Sequence, residues 1–162
     1  PVKVESAHEH QKSIPTYESL DYSTISNMED LMSKSEIDGS DGIVGTNGQH
    51  FIPGTYFIYK TSQDRYGKMI VEQLEPSVNN RLTISWVTYR NARSIYTSGS
   101  GLVIRGTYSC DLDLGMIPTS PFADDSCTEL EKDSDFYWQQ KTQITRALTP
   151  RNHALFKLVY RP

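Results

Sequence analysis

Asp111 and Asp113 stand two apart in the run CDLDLG, and on an extended chain such carboxylates project from one face about 7 Å apart. That arrangement suits a shared hard cation, and calcium in particular prefers oxygen ligands. Asp124, Asp125 and Glu129 follow downstream and supply more carboxylates. The spacing matches no recognised calcium loop, so a solvated acidic rim accounts for it as well, and the sequence demands no cofactor. The second acidic stretch, Asp38-Gly39-Ser40-Asp41-Gly42, lacks a bidentate Glu at a fixed distance and reads as a tight turn. His8, Glu9 and His10 fall in a segment without periodicity, which is a poor frame for the three or four ligands zinc needs.

Cys110 and Cys127 are the two cysteines, an even count that suits one disulfide. Closing that loop would contribute about 3 kcal/mol in the chain-entropy model. The bond is also the ground for expecting a secreted, periplasmic or cell-surface location. Ser98-Gly99-Ser100-Gly101 places a serine between glycines, but without the strand-to-helix setting of a hydrolase nucleophile it reads as a turn.

The larger chemical resource is aromatic: ten Tyr, five Phe and two Trp. Tyr56 and Phe57 are adjacent, as are Tyr137 and Trp138, and on a strand neighbours point to opposite faces. Some rings must therefore leave the main core. Tyr56, Tyr59, Trp86, Tyr89, Tyr137 and Trp138 are the candidate ligand-binding residues, because a flat ring with a polar tip suits sugars and other amphipathic ligands. The competing expectation is that the second sheet face is covered by the N-terminal helix or by the long segment 114–133.

These residues sit on elements of period two. GTYFIYKT (54–61), RYGKMIVEQLE (65–75), RLTISWVTYR (81–90), SIYTS (94–98), LVIRGTYSCDLD (102–113), DFYWQQKTQITRAL (135–148) and HALFKLVYR (153–161) read as strands separated by turn formers. In the last of them Ala154, Phe156, Leu158 and Tyr160 are expected on one face. Ile25, Met28, Leu31 and Met32 recur at helical spacing and predict one short helix over 24–37, with Ser23, Thr24 or Ser26 as cap. Residues 1–20 show no periodicity and are expected to form a flexible arm, and the start at Pro1 leads us to expect a trimmed terminus.

No helix of crossover length separates the strands, which disfavours a parallel sheet. The expected fold is all-β: an antiparallel β-sandwich or a closed meander barrel of about six to eight strands. One short N-terminal helix and the arm precede it, and residues 21–162 make one β domain. The net charge of −4 and pI near 5.5, with no basic stripe, argue against nucleic acid. No apolar run approaches the roughly 20 residues of a membrane-spanning helix.

The function expected is a non-catalytic extracellular or periplasmic binding domain for carbohydrate or a similar surface ligand. One alternative is an assembly module whose aromatic sheet face meets another protein chain. A second is a hydrolase with carboxylates on separate strands.

Overall fold

Alternation of apolar and polar residues builds two antiparallel sheets. The computed structural model describes residues 14–38, 51–78, 80–115, 133–142 and 145–162. Among them a six-residue helix, α1 (Tyr22–Asn27), and a 3-10 turn (Glu29–Leu31) precede nine strands. These are β1 (Ile37–Asp38), β2 (Tyr56–Lys60), β3 (Tyr66–Glu75), β4 (Arg81–Asn91), β5 (Ser94–Ile104), β6 (Tyr108–Cys110), β7 (Phe136–Gln140), β8 (Arg146–Pro150) and β9 (Leu155–Tyr160). One sheet has the order β5-β4-β3-β2-β9, the other β1-β8-β7-β6. Neither returns on itself among the described residues, so the closed barrel expected as one alternative is not formed.

The two sheets share one core. Phe57, Tyr59, Met69, Val71, Leu82, Ile84 and Trp86 from the five-stranded sheet belong to the same buried cluster as Cys110, Phe136, Trp138 and Leu148 from the other. Odd positions of β2 and β3 and even positions of β4 point inward, as period two requires. The opposite face of the five-stranded sheet carries Tyr56, Ile58, Lys68, Ile70 and Tyr89. It is covered by Tyr17, Leu20, Ile25, Met28 and Met32 in a second cluster. Leu20 and Ile25 are fully buried there, and each such side chain contributes about 1.5–3 kcal/mol over an exposed one.

The expected helix over 24–37 is shorter and starts earlier. Asp21 is its cap, accepting the Thr24 amide at 2.8 Å, and the chain has turned extended by Ile37. Met32 and Ile25 need only face the sheet, which one helical turn and one 3-10 turn accomplish. Residues 14–20 of the expected arm lie on the sheet: Tyr56 donates to the Pro15 carbonyl and Lys68 to that of Tyr17 at 2.7 Å.

Two strand boundaries also differ from expectation. The stretch 102–113 is broken after Ile104, where Thr107 takes a positive φ of 71° and its amide bonds to Trp138. Gly106 thus sits in a turn. The stretch 135–148 is a hairpin of β7 and β8, closed by the Lys141 amide on the Thr145 carbonyl at 2.9 Å. Conversely Gly99–Gly101 do not interrupt β5. Gly99 pairs with Trp86, and a Cβ there would stand 2.7 Å from the indole, so this glycine makes room for a core ring.

Candidate functional site

The six aromatic residues singled out from the sequence do not form one surface. Tyr59 and Trp138 are fully buried and Trp86 nearly so. Tyr59 Oη is held by Thr88 Oγ1 at 2.7 Å, and Trp138 Nε1 donates to the Asn80 carbonyl at 2.7 Å. All three belong to the core. Tyr137 lies on the other sheet, half-buried beneath the Arg151 guanidinium at 4.9 Å. Tyr89 is half-buried and donates to the Leu20 carbonyl, which places it under the N-terminal segment.

Tyr56 alone reaches a groove. Its partners there are Tyr17, edge-on at 5.7 Å between centroids, and Tyr160, stacked at 5.3 Å. Ile14, Thr16, Glu18 and Ile70 complete a depression of about 480 Å³. Tyr160 is exposed at the rim, as are Ile14, Thr16 and Glu18.

A bulge creates this grouping. β9 pairs Leu158 with Phe57 but Tyr160 with Tyr56, so one extra residue, Val159, shifts the register. A one-residue slip exchanges faces. Tyr160 therefore departs from the Phe156 face expected for it and joins Tyr56 outside. Tyr17, Glu18 and Tyr160 were missed by sequence reasoning, and no local signal marks that bulge.

Tyr17 and Tyr56 are held in place and uncharged. Lys68 donates to the Tyr17 carbonyl and its ammonium lies 4.4 Å from that ring's centroid. Burial raises the Tyr17 phenol above its ordinary range, with Tyr89, Glu18 and Glu72 adding to the effect. Burial likewise raises Tyr56, reinforced by Tyr160 and Glu18. Tyr17 and Tyr56 thus present hydroxyls and ring faces, while Glu18 presents a carboxylate.

The acidic pair sits elsewhere, at the end of β6. Asp111 and Asp113 do not alternate along a strand. Asp111 Oδ1 accepts the amide of Asp113 at 2.9 Å and of Leu114 at 3.3 Å, a turn that folds the two carboxylates together. Asp135, just before β7, joins them, and one oxygen from each of the three lies within 4.8 Å of the others. Asp135 accepts the Ser62 and Leu112 amides, each at 2.6 Å. Arg65 reaches Asp113 Oδ1 at 3.1 Å.

Burial dominates all three carboxyls. It pushes Asp111 up to about 6 against its hydrogen bonds from Asp113 and Leu114, and Asp135 to about 8 against those from Ser62 and Leu112. Asp113 is raised too, with Arg65 and Thr61 opposing. Asp135 was not among the expected ligands, because only the pairing of β6 with β7 brings it to the others. Asp124, Asp125 and Glu129 lie outside the described residues.

Cys110 is a free, buried thiol, so the expected disulfide with Cys127 is not formed; Cys127 itself lies outside the described residues. The Cys110 side chain is spent in the core between the sheets, where its strand alternation directs it. The inference of export rested on that bond. No helix among the described residues is long and apolar enough to cross a membrane.

No protein-family model matches the chain, and neither a curated protein nor a solved structure matches it.

Proposed function

We propose that this chain is a non-catalytic binding domain whose groove between the N-terminal segment and β9 takes a carbohydrate or a similarly amphipathic surface ligand. The observation that carries this reading is the stack of Tyr160 on Tyr56 beside Tyr17 at the wall of the groove. Ring faces receive the C–H face of a sugar, while Glu18 and Thr16 at the rim offer partners for hydroxyls. A volume of about 480 Å³ is in the range of small-ligand sites. Lys68 holds Tyr17 from behind, so little ordering remains to be done on binding.

A glycan-array screen of the full chain tests it. At least one saccharide should bind, Tyr160→Ala should weaken that binding at least tenfold, and Tyr137→Ala on the other sheet should leave it unchanged. An array without a retained saccharide, or binding indifferent to Tyr160→Ala, overturns the reading.

A specific observation also favours assembly with another protein chain. β5 is an edge strand of eleven residues, and Ile95 and Tyr96 on it are exposed. Such an edge is a template for strand addition. Light scattering at tens of micromolar separates the two readings: a strict monomer counts against self-assembly. Hydrolysis gains little support from the converging carboxylates, since Asp111, Asp113 and Asp135 are 0–2% exposed.

A further inference from the structure

The groove makes no use of the buried acidic cluster. Three carboxylates in one place repel each other and lose their hydration, and such an arrangement requires compensation. Asp135 is compensated by two backbone amides. Arg65 answers one charge on Asp113. Two oxygens are left over: Asp111 Oδ2 and Asp113 Oδ2 are both buried and have no hydrogen-bond partner among the described residues, on side chains that are 1% and 2% exposed. Buried polar atoms are seldom left unsatisfied without a cause such as a missing ion.

We infer that Asp111, Asp113 and Asp135 form a site for one divalent cation of the hard, oxygen-preferring class, best matched by calcium. Oxygens bound to one calcium at 2.3–2.6 Å lie at most about 5 Å apart, which accommodates the 4.8 Å limit within which these three oxygens fall. The charge also fits. Three carboxylates beside one guanidinium leave a formal charge of minus two, which a divalent cation neutralises.

The position gives the ion a structural task. Asp111 and Asp113 precede residues 116–132 and Asp135 follows them, so the cation clamps together the two chain segments on either side. That is the task the sequence suggested for a disulfide. The Ser62 amide, in the turn between β2 and β3, is tied to the same centre through Asp135, so the clamp also joins the two sheets.

The test is a calorimetric titration of calcium chloride into the full chain after chelator treatment, with a parallel magnesium arm. Thermal denaturation and amide NMR accompany it. One calcium should bind per chain with a Kd of about 1 mM or tighter, and Tm should climb with calcium concentration as linkage requires. Magnesium should bind at least tenfold more weakly, and Asp113→Asn and Asp135→Asn should each weaken calcium at least tenfold. Asp30→Asn, a carboxylate on the 3-10 turn away from the cluster, should not. The amides of Ser62, Leu112 and Asp113 should shift on calcium addition, which locates the ion even where a variant fails to fold. Absence of heat, Tm change and amide shifts up to about 10 mM calcium overturns the site, as does calcium that shifts only amides remote from these three. The saccharide screen does not bear on this outcome, because the two sites share no residue.

Discussion

Gly67 on β3 lies against the ring of Tyr59 on β2 so closely that a Cβ at Gly67 would stand 2.4 Å from the ring atoms Cε1 and Cζ. The two residues are register partners, and the ring continues past Gly67 to place its hydroxyl on Thr88 Oγ1 at 2.7 Å and the Val87 carbonyl at 3.2 Å. Thr88 in turn donates to the Leu112 carbonyl at 2.6 Å. Tyr59 thereby connects three strands and the turn that carries the acidic cluster.

Gly67→Ala is therefore expected to destabilise the fold by about 1–3 kcal/mol, the usual cost of overpacking a core. Chemical denaturation should show a lower midpoint with an unchanged m-value. A neutral Gly67→Ala would mean that the ring can retreat and that the packing described is not obligatory.

Asn80 combines two roles that substitution can separate. Its backbone has a positive φ of 49°, and its Oδ1 accepts the buried Arg146 Nε at 2.7 Å. Losing a hydrogen bond to a charged group costs about 1.5–3 kcal/mol, and a left-handed backbone costs a residue with a Cβ about 1–2 kcal/mol more. Asn80→Ala should thus be less stable than Asn80→Gly by about 1 kcal/mol, with both below the parent in urea unfolding. Equal effects would remove the backbone component.

Tyr66 gives the N-terminal cover an alkali-sensitive bond. Its phenol donates to Glu29, and that bond, followed by burial and the Glu29 charge, raises it to about 12. A folded-state pKa above the unfolded value of 10 means that the folded protein holds the proton more tightly. The contribution is complete below pH 10 and is lost as pH rises from 10 to 12. Thermal melts of Tyr66→Phe compared with the parent should show the difference shrinking across that window. Glu29→Gln should lower the phenol's titration, read by absorbance near 295 nm.

Cys110 should resist chemistry in the native state. Burial raises its thiol well above the ordinary value, with Asp135 and Asp111 adding repulsion of the thiolate. The thiolate is the reactive form, so iodoacetamide should label Cys110 only after denaturation, as read by peptide mass mapping. Native labelling, or recovery of a peptide linked to Cys127, would contradict a free core thiol.

Much of the scaffold was legible because period two leaves a local trace. Leu82, Ile84 and Trp86 alternate with Thr83, Ser85 and Val87, and β4 buries the first set. Phe136 and Trp138 point inward, as their spacing required. The adjacency of Tyr56 and Phe57 required one ring to leave the main core, and of the two outcomes left open for the outer face the structure shows the one covered by the N-terminal segment. Strand ends were less visible. The turn at Thr107 puts its positive φ on a threonine and not on the neighbouring Gly106, so tertiary pairing decided it.

What the residue order alone determined is which side chains share a face wherever a strand runs without a bulge, since there it follows from backbone geometry. What the tertiary structure decided is which faces meet. The extra residue at Val159 carries Tyr160 to Tyr56 and makes the groove. The pairing of β6 with β7 carries Asp135 to Asp111 and Asp113. Both depend on the register between strands distant in sequence, and register is a property of the partners together, which neither segment encodes alone.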